Sequence, residues 1–393
     1  MKILHTSDWH LGQLFMTRSR KAEHEAFLQW LLQKVQQESI DVVIVAGDIF
    51  DTATPPNYAL ELYYNFLTRL SSICKHIIIT AGNHDSIATL KASQQLLKAL
   101  NISVITSGDK SEDEIIEIVE DDKLLAVVCA VPFLRDYVVR QSQNAQSMSQ
   151  KETALSEGIV THYQRVYEEA LLRVDKKDIP IIATGHLTVL GSQTSESERE
   201  IYIGTSLAID SAFLARFDYV ALGHLHTNQK VGYQHVRYSG SPIPLSFSEA
   251  STQKKVNIVE FEGKKPMIHE VQIPSFRPLV VLRGDLHAVV TSLETIKDKQ
   301  SWIEVHLDDS NPFFANQQIR QKASELDLTL LAVKIQTAQH ATQQDDFKVL
   351  SLEQLTPKDL FIKRLEQEEG IDKKFQEQLL ACFEEVEYEV EQG

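Results

Sequence analysis

Residues 76–85 read HIIITAGNHD, an apolar, β-branched run that passes through Ala-Gly into an amide, an imidazole and a carboxylate. Such a run reads as a strand buried on both faces, and the glycine marks where it turns. The same pattern recurs along the chain. KIL at the start leads to Asp8 and His10 in HTSDWHLG, DVVIVAGD (41–48) ends on Asp48, IPIIATGH (179–186) ends on His186, and FDYVALGHLH (217–226) ends on His224 and His226. LLAVVCAVPF (124–133), HVRYSGSPI (235–243) and KVNIVEF (255–261) add further strands. Between several of them lie helical patterns: residues 20–36 place Phe27, Leu28, Leu31, Leu32 and Val35 on one face, and YALELYYNFLTRL and LKASQQLLKAL behave similarly. The layout predicts an α/β fold, layered, with helices packed over sheet.

In open α/β sheets ligands bind beyond the carboxyl ends of the strands, so polar residues at five such ends can converge although they are far apart in sequence. The residues concerned are Asp8, His10, Asp48, Asn83, His84, His186, His224 and His226, with Gly47, Gly82, Gly185 and Gly223 preceding four of the segments. In extended backbone, residues two apart point to one side, so Asp8 and His10 can share an ion, whereas His224 and His226 can share one or face two. Oxygen and imidazole donors without thiolate favour Mn, Fe, Zn or Mg, and the many histidines disfavour Mg alone. The donors outnumber what one tetrahedral site uses. Two metals about 3.5–4 Å apart, the usual solution for phosphate-ester hydrolysis, fit the count. A single buried histidine is ordinarily a hydrogen-bonded core residue, and His5, His24, His76, His162 and His235 are read as structural or exposed. Trp9 and Phe50 are read as packing residues.

At 393 residues with 43% hydrophobic content, the chain suits one large domain with attachments, or two to three domains. A net charge of −16 argues against passive wrapping of nucleic acid. It leaves room for a nucleic-acid enzyme, because bound cations or a basic partner can supply positive charge locally. No apolar stretch approaches the ~20 residues of a membrane span and the start lacks a signal-peptide pattern, so a soluble, cytosolic protein is expected. Cys74, Cys129 and Cys382 are scattered without a CxxC pair, which speaks against a disulfide framework or a thiolate site. Residues 141–157 read as a polar surface loop leading into a helix, and 111–122 as an exposed strand and turn. After about residue 270 a compact α+β module follows, then the polar linker TAQHATQQDD. Thr356 and Pro357 open a helix, and Phe375, Leu379, Leu380, Phe383 and Val386 mark another, a hairpin too small to bury its own apolar face.

The set DxH, GDxxD, GNHD, GH and GHxH resembles the calcineurin-like metallophosphoesterases. Within them, HTSDWHLG, AGDIFD, AGNHDS, IATGHLT, ALGHLH and YSGSPIPLSF resemble the bacterial nuclease subunits related to the archaeal and eukaryotic double-strand-break repair nucleases. The resemblance is specific from residue 1 to about 250 and looser beyond. It implies a β-sandwich phosphoesterase core flanked by helices over 1–270, an α+β capping domain over 271–340, and a linker with C-terminal helices over 341–393. It implies that Asp8, His10, Asp48 and His226 hold one Mn ion, with Mg as the alternative metal, and that Asp48, Asn83, His186 and His224 hold another, Asp48 bridging. His84 would sit beside the scissile phosphate and Asp51 would orient it.

The implied activity is ATP-dependent 3′ to 5′ exonuclease action on duplex ends, with endonuclease cleavage of single strands and hairpins. The chain has no GxxxxGK[ST] phosphate loop, so the ATPase must be a partner, which the resemblance implies is an SMC-like ABC-type protein with a long coiled coil. The resemblance further implies a homodimer within a heterotetramer, located in the cytoplasm at the nucleoid. The hairpin over 351–390 would dock on the coiled coil. Arg277, Arg283, Arg320, Lys322 and Lys334 are candidates for phosphate contacts, and the face around Tyr58, Leu62, Tyr63 and Phe66 reads as core packing or a dimer contact. A phosphoesterase for small substrates and a DNA-end-binding scaffold are the other readings. The C-terminal modules count against the first, and the complete donor set against the second.

Overall fold

Side-chain alternation along the strands decides the architecture. The computed structural model describes residues 1–134, 148–174, 178–194, 198, 208–309, 311–335 and 379–380. One six-stranded sheet runs, in spatial order, β14 (Lys265–Gln272), β13 (Lys255–Glu262), β1 (Lys2–Thr6), β4 (Val42–Ala46), β5 (His76–Thr80) and β6 (Ile102–Ile105). A second runs β11 (Gln229–Val231), β12 (Tyr233–Tyr238), β10 (Tyr219–Gly223), β9 (Ile181–His186), β8 (Lys123–Cys129) and β7 (Ile115–Glu120). Val42 and Ile44 of β4 meet Ile182, Tyr219 and Ala221 of the other sheet in a shared core, while Val43 and Val45 face helices on the outside. Strands buried on both faces carry continuous apolar runs for this reason. β1, β4, β5 and β6 are mutually parallel, as are β8, β9, β10 and β12, so their carboxyl ends lie along common edges.

A short pair, β2 (Leu14–Phe15) and β3 (Arg18–Ser19), follows β1, and helices α1 (Lys21–Gln37) and α2 (Asn57–Leu70) cover the first sheet through Phe27, Leu31, Val35, Tyr63 and Phe66. Tyr63 and Phe66 are therefore core residues, and only Tyr58 and Leu62 of that face retain partial exposure. The LKASQQLLKAL stretch forms two short helices, α3 (Ile87–Lys91) and α4 (Gln94–Lys98). Helix α5 (Met148–Val174) covers the second sheet through Leu155, Ile159, Tyr163 and Val166.

Two local expectations change. The polar stretch 141–157 is already helical from Met148, and residues 141–147 lie outside the described residues. The 111–122 run is not wholly exposed: Ser111–Glu114 is a 3₁₀ turn whose Glu114 is buried against His162 at 2.8 Å. His5 is also structural, facing Tyr219 Oη at 2.9 Å and the Leu222 carbonyl at 3.1 Å.

Beyond the sandwich, β15 (Leu279–Gly284), α6 (Leu286–Thr295), β16 (Trp302–Leu307), α7 (Pro312–Glu325) and β17 (Thr329–Ile335) form a parallel three-stranded βαβαβ module. Asp285 caps α6 by accepting from Ala288 N–H, and Asn311 caps α7 by accepting from Phe314 N–H. The chain through Thr337 is one compact unit and Ala338–Gly393 a second, so the expected helical hairpin lies outside the described residues except for helical Leu379 and Leu380. Cys74 and Cys129 are buried free thiols. Among the described residues no helix is long and apolar enough to cross a membrane.

Trp9 is fully buried, edge-on to Phe27 and Phe66 with ring centroids 6.0 and 5.3 Å away, and its indole N–H donates to Thr6 Oγ1 at 3.0 Å. Trp9→Ala is expected to cost about 3–5 kcal/mol of unfolding free energy in a urea titration. A loss under about 1 kcal/mol would show that α1 and α2 do not depend on this contact.

Candidate metal centre

The strand ends do converge. Asp8, His10 and His226 each offer a donor atom, and these atoms lie within 4.8 Å of one another. The same holds for Asp8, Asp48 and His186, and for His10, Asp48 and His84. Asn83 joins them through Oδ1, 2.8 Å from His186 Nε2. His224 packs with its ring centroid 5.4 Å from that of His186, and its backbone N–H donates to Asp8 Oδ1 at 2.8 Å. The structure thus brings together all seven residues expected as ligands, with His84 beside them. Asn83 and His84 are half-buried while the other six are buried, so the solvent approaches from the His84 side.

Local backbone aims these side chains. Asp8, His10, Asp48 and His224 have φ of 52°, 47°, 49° and 95°, a left-handed region that non-glycine residues seldom occupy. Such strain clusters at functional sites. Gly47, with φ of 88°, lies where a Cβ would overlap the His186 imidazole, and a Cβ on Gly223 would overlap the Ala46 carbonyl oxygen. Close approach of the loops requires glycine at both positions.

The arrangement fits a divalent-cation centre. His186 Nδ1 donates to the Ala46 carbonyl at 3.2 Å, which turns Nε2 toward Asn83 Oδ1 and toward Asp48 Oδ2 at 3.2 Å. Among the described residues His10 Nε2 is buried without a hydrogen-bond partner, 3.8 Å from Asp48 Oδ2. A cation among these oxygens and nitrogens would satisfy both rings. Burial opposes ionisation of Asp48, yet the attraction of His186, His10 and His84 holds its carboxyl well below the usual range. Burial likewise opposes charging of His186, but Asp48 raises it to about 9. Burial pushes Asp8 up against the pull of His186 and His226. For His224, burial and the neighbouring His186 lower the pKa well below that of a free imidazole.

The residue expected to orient His84 has two connections. Asp51 accepts from His84 Nδ1 at 2.7 Å through its backbone carbonyl, and its carboxylate lies 3.2 Å from His10 Nδ1. Asp85, to which no role was assigned, accepts from the N–H groups of Ile49, Phe50 and Gly82 and so ties the Asp48 loop to the Asn83 loop. Its position at the end of GNHD was the available signal. Glu198 and Glu249 also approach His226, with carboxylate oxygens 3.9 and 3.7 Å from Nδ1, and nothing in their polar sequence context marks them. Of the basic residues considered for phosphate contacts, Arg277, Lys322 and Lys334 form ion pairs with Glu23, Glu294 and Glu304, while Arg283 and Arg320 are exposed.

Residues 1–228 match the family model of the calcineurin-like phosphoesterases, and residues 275–369 match one described as the type 5 capsule protein repressor C-terminal domain. SbcD of the nuclease SbcCD from Escherichia coli (strain K12) is 38% identical, over 98% of this chain and 97% of the relative. SbcD from Bacillus subtilis (strain 168) is 35% identical, over 78% of this chain and 79% of the relative. With the DxH, GDxxD, GNHD, GH and GHxH residues gathered at one buried centre, the chain belongs to the calcineurin-like phosphoesterases and, within them, to the SbcD family.

Proposed function

We propose that this chain is the metal-dependent nuclease component of an SbcCD-type complex, hydrolysing DNA phosphodiesters in end processing, repair and recombination. The gathering of oxygen and imidazole donors from five strand ends, with half-exposed His84 at the open side, carries this reading. Asp8, His10, Asp48 and His226 would hold one ion, and Asp48, Asn83, His186 and His224 the other. When bound, a pair of ions, Mn²⁺ in this reading and Mg²⁺ as the alternative, supplies Lewis-acid polarisation of phosphoryl oxygens and a strong nucleophile at neutral pH.

The chain's own groups do the remaining work. His84 Nδ1–H donates a hydrogen bond to the Asp51 carbonyl, so Nε2 is the nitrogen left to face a phosphate. As imidazolium, that nitrogen donates a hydrogen bond to developing charge or a proton to the leaving oxygen. The Asp48 carboxylate accepts from the His84 backbone N–H at 2.9 Å, so this histidine is registered to the same carboxylate that organises the donors. The buried donor pocket keeps competing water away from all but this side.

In this reading residues 1–270 are the nuclease core, 271–340 the cap, and 341–393 the segment that engages an SbcC-type ATPase. The relatives' naming as one component of the nuclease SbcCD supports such a partner. A homodimer within a heterotetramer, acting on duplex ends with 3′ to 5′ polarity and on hairpins in the cytoplasm at the nucleoid, completes the proposal.

Two outcomes are expected. With Mn²⁺ and a labelled DNA hairpin, the chain with its ATPase partner and ATP cleaves DNA, and His84→Ala loses cleavage by about 10²–10⁴-fold while retaining metal binding. Turnover of a chromogenic phosphomonoester without any DNA cleavage would sink the nuclease reading. The second outcome concerns pH. A cation needs His186 Nε2 unprotonated, so below about pH 9 loading displaces a proton, and Mn²⁺ affinity rises with pH up to that point. In the metal-free chain the sign reverses. The raised pKa of His186 adds stability that is complete below 6.5 and fades as pH climbs through about 9. Chemical denaturation and Mn²⁺ titration across this window check both slopes, and a flat affinity would contradict His186 as a ligand.

A further inference from the structure

The βαβαβ module touches the sandwich through a buried cationic junction. Arg20, fully buried at the start of α1, lies with its guanidinium carbon 5.2 Å from the Phe15 ring and 5.3 Å from the Trp302 ring. Arg277 lies 4.7 Å from the Trp302 ring. Both arginines donate through Nε to Glu23 Oε1 at 2.9 Å. Arg20 Nη1 also donates to the Pro244 carbonyl at 2.8 Å, reaching a loop that lies between module and metal centre. Phe247 of that loop packs edge-on to Phe15 at 5.2 Å, and Phe15 lies 5.4 Å from Trp302.

Two residues beyond Phe247, Glu249 is buried. Its Oε2 accepts from Leu245 N–H at 3.2 Å and from Lys254 Nζ at 2.5 Å, which turns Oε1 toward His226 Nδ1 at 3.7 Å. Lys254 Nζ also donates to the His226 carbonyl at 2.9 Å and to Ser241 Oγ at 2.8 Å, so one ammonium holds carboxylate and histidine backbone in register. A carboxylate behind a ligating imidazole fixes its ring and raises its basicity, and loss of such a partner typically costs 10–100-fold in metal affinity.

We propose that Glu249 is a positioning residue for His226 and that Arg20 holds the loop carrying Glu249, so that docking of the βαβαβ module on the sandwich sets the geometry of one metal ligand. This rests on the two-ion reading above. Glu23, Phe15 and Trp302 hold Arg20, the Pro244 carbonyl connects it directly to the loop and Phe247 does so through Phe15, and Glu249 ends the relay at the imidazole. A shift of Trp302 would therefore move a ligand without any contact between the module and the ions.

The test is a calorimetric Mn²⁺ titration of the full chain and its variants, with unfolding midpoints measured in parallel. The unsubstituted chain is expected to bind two ions. Glu249→Gln keeps the shape, removes the charge, and should weaken one of the two ions about 10–100-fold while sparing the other. Arg20→Lys keeps the charge but cannot reach Glu23 and the Pro244 carbonyl with the same fork, and should weaken that same ion to a smaller extent. The double variant should bind no more weakly than Glu249→Gln, because both changes act through one path. Should Glu249→Gln fail to fold, Glu249→Asp and Arg20→Lys carry the comparison. Unchanged affinities with a lowered unfolding midpoint would make these residues merely structural and overturn the proposal, as would effects that simply add. Failure of the unsubstituted chain to bind Mn²⁺ would instead overturn the two-ion reading, and this proposal with it.

Discussion

The Asp48 carboxylate, buried at the end of β4, is the interaction on which the site depends. Oδ2 lies between His186 and His10, and Oδ1 accepts from the His84 backbone, so one side chain joins three strand ends. An anion in a dry interior is costly unless it is paired and hydrogen-bonded, and here imidazoles and an amide share the task. The sandwich makes this possible. Its inter-sheet core holds β4 against β9 and β10, so that Ala46 can accept from His186 and Gly223 can pass beneath it. Polar convergence and apolar packing are therefore one arrangement.

The backbone bears the cost of aiming. Four non-glycine residues at the centre lie in left-handed conformations, each worth about 1–3 kcal/mol of strain when imposed on an ordinary side chain. Asp85 compensates locally: its carboxylate holds three loop amides that would otherwise lie buried without partners, although burial beside Asp48 lifts its own pKa to about 6. The loops are thus pinned by hydrogen bonds at the points where the strand geometry ends.

Much of this was legible in the sequence because it is local. A β-branched run ending in glycine and a ligand-type residue marks a strand end that can offer a donor, so the candidate donors, the layered α/β fold and the face of α1 were legible in the pattern, while setting His84 apart from the seven expected ligands rested on the family resemblance. What escaped is set by distance. Glu249 matters only because Lys254 and His226 fold against it, and no periodicity records that. Glu114 sits in an acidic run that reads as solvated, yet α5 carries His162 onto it. The start of α5 was hidden for a different reason: serine and glutamine occur in loops and are tolerated in helices, so a polar stretch does not tell the two apart.

The pairing of β1 with β13 bears on how the protein is made. Lys2–His5 are paired in register with Asn257–Glu260, and Asp8 accepts from His224. The first strand leaves the ribosome without its antiparallel neighbour, which follows some 250 residues later, about 12–50 s at ordinary rates of synthesis. Until then Asp8 and His10 have neither β13 to hold their strand nor His226 to complete their donor cluster. The donor cluster drawn from both ends of the chain is therefore complete only once the sandwich closes.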